Sequence, residues 1–184
     1  MTDTLPRTGA TVRPAGIATA LAGAVVVVLG TVGAVAPDAV GAAWFATVVP
    51  AALLFAAGLV GLRRLAVAVG ASGLVTVALA VAAAAMTLFG LAHAYALVDE
   101  DTAILLFSVF MVLAAVGLIV AAVGMVRGPA ALPRWATLAA GAWPLATIPA
   151  GAALGDLPHF GAIAVWGVTW VVLGATLIRT GSNR

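Results

Sequence analysis

Long apolar segments, separated by short turns whose charges alternate in sign, constrain the fold of this chain more than any other feature. About 20 helical residues cross the hydrocarbon core of a bilayer. The segments of this kind cover residues 16–36, 42–62, 65–98, 103–126, 135–154 and 159–178. In lipid a spanning helix satisfies every backbone N–H and C=O within its own segment. We therefore predict an all-α membrane protein with six transmembrane helices.

The composition supports one membrane domain without a soluble module. Hydrophobic residues make up 65% of the 184 residues and charged residues 8%, whereas soluble domains carry about 25% charged residues. We place a single transmembrane domain at 16–179, with tails at 1–15 and 180–184. The formal net charge of +2 gives no reason to expect a nucleic-acid partner. The lipid bilayer is the expected partner of most of the surface.

The distribution of charges predicts how the chain threads the membrane. The basic residues, all arginines, lie in the two tails and in the second and fourth loops: Arg7, Arg13, Arg63, Arg64, Arg127, Arg134, Arg179 and Arg184. The other three loops hold most of the acids: Asp38, Asp99, Glu100, Asp101 and Asp156. Arginine-rich loops stay in the cytoplasm. We predict three antiparallel hairpins in a bacterial inner (cell) membrane, with both termini cytoplasmic.

Two segments leave an alternative open. Segment 65–98 would be about 50 Å long as one helix at 1.5 Å per residue, which exceeds a bilayer. It must therefore tilt, break near Gly70 and Gly73 or near Gly90, or project from the surface.

In the first segment, residues 34–36 resemble a signal-peptide cleavage site, but the apolar run is longer than that of a signal peptide. We predict that this segment stays in the protein as its first helix.

Glycines recur at intervals of seven residues in three of the segments. They are Gly16, Gly23 and Gly30, then Gly117 and Gly124, then Gly167 and Gly174. Such spacing creates a groove of small residues that lets a second helix approach closely. We expect these grooves to be filled within the monomer. A seam with a second copy or another membrane protein is the alternative.

The most chemically diverse stretch joins the turn at Asp156 to the last apolar segment. His159, Trp166 and Trp170 return to one face of a helix, because residues seven and eleven apart nearly coincide. Trp143, Trp166, Trp170 and Asp156 are the candidates for lining a ligand pocket, with packing between helices as the alternative. His93 and His159 fall on the same side of the membrane. They are the candidates for binding haem or a metal, with a pH-sensing role or simple hydrogen bonding as the alternatives.

The sequence lacks the residues that several kinds of catalytic and transport chemistry require. Cysteine is absent, and neither a Gly-x-Ser-x-Gly nor a His-Glu-x-x-His motif occurs. Intramembrane charges mark ion pathways and proton relays, and none lies well inside a predicted span. We therefore expect a non-enzymatic protein without a cofactor, acting by helix packing or partner binding. The alternatives are a haem, metal or ligand protein that uses His93 and His159, and a small-solute conduit through the helices kinked by Pro50 and Pro144.

The first hairpin resembles a known family. Leu21-Ala22-Gly23-Ala24, Leu29-Gly30 and Pro37-Asp38-Ala39 are similar to the hairpin repeat of the HdeD-type family of small bacterial membrane proteins. The third hairpin keeps Trp135 and its glycines, whereas the middle one departs from the pattern. The resemblance implies three two-helix hairpins and an association with acid stress, without a known enzymatic activity.

Overall fold

The computed structural model describes residues 9–129, 132–154 and 156–182, and gives the backbone alone for 9, 10, 37, 41, 42, 45, 148–154 and 156–159. Within these ranges the chain forms six α-helices and a short 3₁₀ turn, and no strand. The helices are α1 (Gly9–Val35), α2 (Gly41–Ala68), α3 (Gly73–Tyr95), α4 (Glu100–Val126), α5 (Arg134–Leu154) and α6 (Asp156–Ser182). The predicted all-α, six-helix architecture is confirmed.

Judged on the described residues, five helices are long and apolar enough to cross a membrane: α1, α2, α3, α4 and α6. The protein is therefore a multi-pass integral membrane protein. The side chains of α5 are described only over 134–147, and this helix is not among the five. Its 21 residues match the length that a span requires.

The helices form a closed ring in which each packs against its neighbours in sequence and α6 packs against α1. Among the described residues, the contact between α1 and α6 is the most extensive, exceeding that within any of the three hairpins. The two helices run antiparallel, since Gly16 lies against Gly174 and Gly30 lies against Ala164. The hairpins are thus present, but the first and last helices form the tightest pair.

The α1–α6 contact depends on glycine. A Cβ atom added to Gly23 would lie 2.7 Å from the carbonyl oxygen of Gly167, and one added to Gly167 would lie 2.7 Å from the carbonyl oxygen of Gly23. Lipid tails are as apolar as leucine, so helices associate in a bilayer mainly through close packing and dispersion. The glycine grooves of α1 and α6 are therefore filled within the monomer, as expected.

The long third apolar segment is broken at the first of the predicted places. Helix α2 continues past Arg63 and Arg64, where the sequence predicted its end, because arginine favours helices. It ends at Ala68, two residues before Gly70, whose φ is +72°. The N–H of Ala71 donates to Ala66 O at 2.9 Å and that of Gly70 to Val67 O at 3.1 Å. These paired bonds form a Schellman motif, which satisfies the last carbonyls of the helix.

The outer helices also extend beyond the predicted spans. Helix α1 begins at Gly9 instead of residue 16, so residues 9–15 of the predicted tail are helical. Helix α6 continues to Ser182, beyond the predicted limit at 179. Apolarity shows where a chain meets lipid, whereas backbone hydrogen bonding continues as far as the residues permit helix. The helices therefore extend several residues beyond the predicted spans at both ends of the chain, and the limits of the transmembrane domain at 16 and 179 stay a prediction.

Candidate functional site

The centre of the ring is an aromatic cluster that joins α6 to α2. Trp166 and Trp170 lie one turn apart, 9% and 0% exposed, so the predicted stripe is confirmed for these two residues. Phe55 of α2 stacks on Trp170 with ring centroids 4.2 Å apart, and meets Trp166 edge-on at 5.7 Å. No sequence pattern indicated that Phe55 would be their partner, because any apolar residue of α2 was an equal candidate.

Two indole hydrogen bonds tie α5 to α6 in opposite directions. Trp166 Nε1–H donates to Ala140 O of α5 at 3.0 Å, and Trp143 Nε1–H donates to Ala162 O of α6 at 2.7 Å. Pro144, four residues after Ala140, has no N–H, so Ala140 O lacks its ordinary helical donor. Trp166 replaces that donor from the neighbouring helix. A proline four residues after an alanine was visible in the sequence, but the position of the indole was not.

Trp170 has a different role from Trp166. Its Nε1 is buried and has no hydrogen-bond partner among the described residues. The cavity beside Trp166, which Phe55 and Phe89 also line, has a volume of about 20 Å³, the room of roughly one water molecule. Trp166 and Trp170 thus meet where α6 contacts α2, and Trp143 lies separately in the contact between α5 and α6. Asp156, the fourth candidate for the pocket, lies outside the described side chains.

His93 is buried near the end of α3. It is 4% exposed and lies between two phenylalanines, 4.4 Å from Phe89 and 4.7 Å from Phe107 between ring centroids. Nδ1–H donates to Phe89 O at 3.0 Å, which leaves Nε2 of the neutral ring as an acceptor. The side chain of His159 lies outside the described residues, so its pairing with His93 stays a prediction. The described residues contain no group of three potential metal-binding side chains.

Few polar side chains are buried in the described interior. They are Thr19, His93 and Thr137. The hydroxyl of Thr19 donates to Ala15 O at 2.8 Å, and that of Thr137 donates to Pro133 O at 2.9 Å. Each hydroxyl is therefore satisfied by its own helix, as threonine commonly is within membranes. These side chains do not line a continuous polar path through the described part of the bundle.

Charges are segregated to the two ends of the bundle. The antiparallel helices bring the described arginines to one end, which we call the arginine end, and Asp38, Asp99, Glu100 and Asp101 to the other, the acidic end. At the acidic end Asp99 caps α4, accepting from the hydroxyl of Thr102 at 2.6 Å and from its N–H at 3.1 Å. These bonds hold the pKa of Asp99 below its ordinary value.

One stretch of helix packs far less than the rest. None of the residues 104–113 of α4 is buried; we call this stretch the α4 face. Leu105 is 69% exposed and Val109 is 54% exposed, while Phe107, Phe110 and Met111 are half-buried and pack partly against the core. The α4 face therefore presents large apolar side chains around most of its circumference.

In comparisons with known proteins, no family model, no curated protein and no solved structure matches the chain. The resemblance to the HdeD-type family thus depends on sequence motifs alone, mainly those of the first hairpin.

Proposed function

We propose that this protein is a non-enzymatic accessory protein of a bacterial inner membrane, which assembles with a second copy or another membrane protein through the α4 face. The observation that carries the proposal is the run of residues 104–113 without a single buried side chain. Its resemblance to the HdeD-type family suggests acid stress as the setting. Both termini are placed in the cytoplasm, on the arginine-rich side.

The packed interior supports a function on the surface. The aromatic cluster of Phe55, Trp166 and Trp170 fills the contact between α2 and α6, and the cavity beside it measures about 20 Å³. A small-molecule site ordinarily has a volume of about 300–1,000 Å³. Recognition by the described part of this protein is therefore better served by its exterior than by its centre.

The composition of the α4 face favours a protein partner. Leu105, Leu106 and Val109 present large, exposed apolar side chains, which gain dispersion contacts when a second helix replaces mobile lipid tails. Ser108 already donates to Ile104 O at 2.7 Å, so a partner need not supply a hydrogen bond to it. An apolar partner helix is therefore sufficient to cover this face.

Cysteine cross-linking in membranes tests the proposal, because the natural chain has no cysteine. Val109→Cys places a thiol on the α4 face, and Val28→Cys, at a site 60% exposed on α1, is the matched control. We expect oxidation to give a disulfide dimer from Val109→Cys and none from Val28→Cys. With a different protein as the partner, a photoreactive residue at 109 will give one discrete protein adduct. Lipid adducts alone at position 109, with no dimer, would contradict the proposal.

A further inference from the structure

A groove runs along the surface of α1 at the arginine end of the bundle. It has a volume of about 740 Å³ and is lined by Arg13, Ile17 and Leu21 of α1, Leu54 of α2, and Gly181 and Ser182 of α6, among others. Ile17, Leu21 and Leu54 are 43%, 60% and 38% exposed. One end of the groove thus carries a cation near the hydroxyl of Ser182, and the remainder is mostly apolar.

The position of the groove along α1 matches the layers of a bilayer. From Arg13 to Val35, at the far end of α1, the helix rises about 33 Å at 1.5 Å per residue, close to the thickness of the hydrocarbon core. Arg13 therefore lies at the level of lipid phosphates when α1 spans the membrane. Leu21, about 12 Å further along the helix, lies at the level of the acyl chains.

No described residue neutralises the charge of the groove. Arg13 is exposed and makes no hydrogen bond or ion pair with any described residue. Its guanidinium carries five donors in a planar fork that suits a phosphate group. The described arginines 63, 64, 127, 134 and 179 lie at the same end of the bundle, so the surrounding potential also favours an anion.

We propose that this groove binds one anionic phospholipid, with the phosphate on Arg13 and an acyl chain along Ile17, Leu21 and Leu54. Basic pockets between helices near a membrane surface recognise acidic headgroups in this way. A smaller groove of about 510 Å³ between α3 and α4 repeats the arrangement, with Arg127 beside Leu74 and Val123. The lipid site is independent of the partner-binding role proposed for the α4 face.

Photoreactive lipids test the site locally. The full-length protein is reconstituted in phosphatidylcholine vesicles that contain a trace of phosphatidylglycerol with a photoreactive acyl chain, and adducts are mapped by mass spectrometry. We expect adducts at Ile17, Leu21 and Leu54. Arg13→Gln should lower their yield about fivefold, the effect of one arginine near a membrane surface. Arg64→Gln removes the same charge at the same end without lining either groove, and should leave the yield nearly unchanged.

A second variant separates the acyl chain from the charge. Ala18 also lines the groove. Ala18→Phe therefore fills part of the groove while keeping Arg13 and should abolish the adducts, whereas Val28→Phe on the same helix should not. Equal yields from phosphatidylcholine and phosphatidylglycerol probes, or equal losses in Arg13→Gln and Arg64→Gln, would overturn the proposal. Competition by inorganic phosphate alone would show a free-anion site and would overturn it as well.

Discussion

Pro144 removes a donor from α5, and Trp166 supplies one from α6. The bond from Trp166 Nε1 to Ala140 O is 3.0 Å long, and it satisfies a carbonyl that proline would otherwise leave unpaired. Hydrogen bonds between membrane helices contribute about 0.6 kcal/mol on average and up to about 1.7 kcal/mol. The contribution of the bond from Trp166 to Ala140 should lie toward the upper end of this range, because proline removes the ordinary donor to Ala140 O from its own helix.

A double-mutant cycle measures this coupling. Trp166→Phe removes the donor, and Pro144→Ala returns an N–H to residue 144, which then serves Ala140 O. We expect Trp166→Phe to lower the free energy of unfolding by about 1 kcal/mol more in the natural background than in Pro144→Ala, measured by reversible unfolding in mixed micelles.

Trp170→Phe is the matched control for ring size in that cycle. Trp170 is as deeply buried but its Nε1 has no partner among the described residues. The change in the free energy of unfolding caused by Trp170→Phe should therefore be the same with or without Pro144. Equal behaviour of the two tryptophan variants would show that ring volume, and not the hydrogen bond, stabilises the contact between α5 and α6.

At the scale of elements, backbone conformation determines where the helices end more than hydropathy does. Arg63 and Arg64 mark the membrane boundary, yet α2 continues to Ala68. Its end is set by Gly70, which adopts a left-handed conformation with φ +72° that other residues enter only at a cost of about 1–2 kcal/mol. Charge predicted the boundary of the span, and glycine decided the boundary of the helix.

The contact between α1 and α6 has a direct test. Gly167→Ala places a Cβ 2.7 Å from Gly23 O, so the two backbones must separate. We expect the free energy of unfolding to fall by about 1–3 kcal/mol, as overpacking ordinarily costs, in the same micellar unfolding measurement. Thermal unfolding should begin at a lower temperature for the same reason.

Gly161→Ala is the control on the same helix. A Cβ added at Gly161 meets no atom within 4 Å, so the variant should be neutral or up to about 1 kcal/mol more stable, through helix propensity alone. Loss of stability in both variants would show that flexibility of α6, and not its close approach to α1, explains the glycines.

At the scale of the whole molecule, the ring carries its arginines at one end and its acids at the other. No ion pair joins charged groups among the described residues, so these charges face water or lipid headgroups. Arginine-rich loops resist translocation across a membrane. This asymmetry is the physical basis for placing both termini in the cytoplasm.

Labelling of single cysteines tests the orientation in cells. Asp38 and Arg63 are exposed at opposite ends of the bundle. A thiol-reactive, membrane-impermeant reagent should label Asp38→Cys in intact cells, whereas Arg63→Cys should react only after the membrane is opened. Labelling of both residues from the same side would contradict the proposed threading.

The sequence by itself determined the membrane class, the number of helices and the segregation of charges, and it named Gly70 as one of the places where the long third segment could break. Each depends on how a local segment interacts with lipid or water and on which backbone conformations its residues allow. Such preferences are determined by consecutive residues. It also predicted that Trp166 and Trp170 share a face, because helical periodicity alone decides this.

Only the tertiary structure decided which segments meet. The ring closes because Gly23 and Gly167, far apart in the chain, let two backbones touch, and Ala140 finds its donor on another helix. Such contacts depend on the complementary shapes of distant surfaces, which no single segment encodes. The surroundings of Arg13 were likewise set by packing, since its groove needs residues from α1, α2 and α6 together.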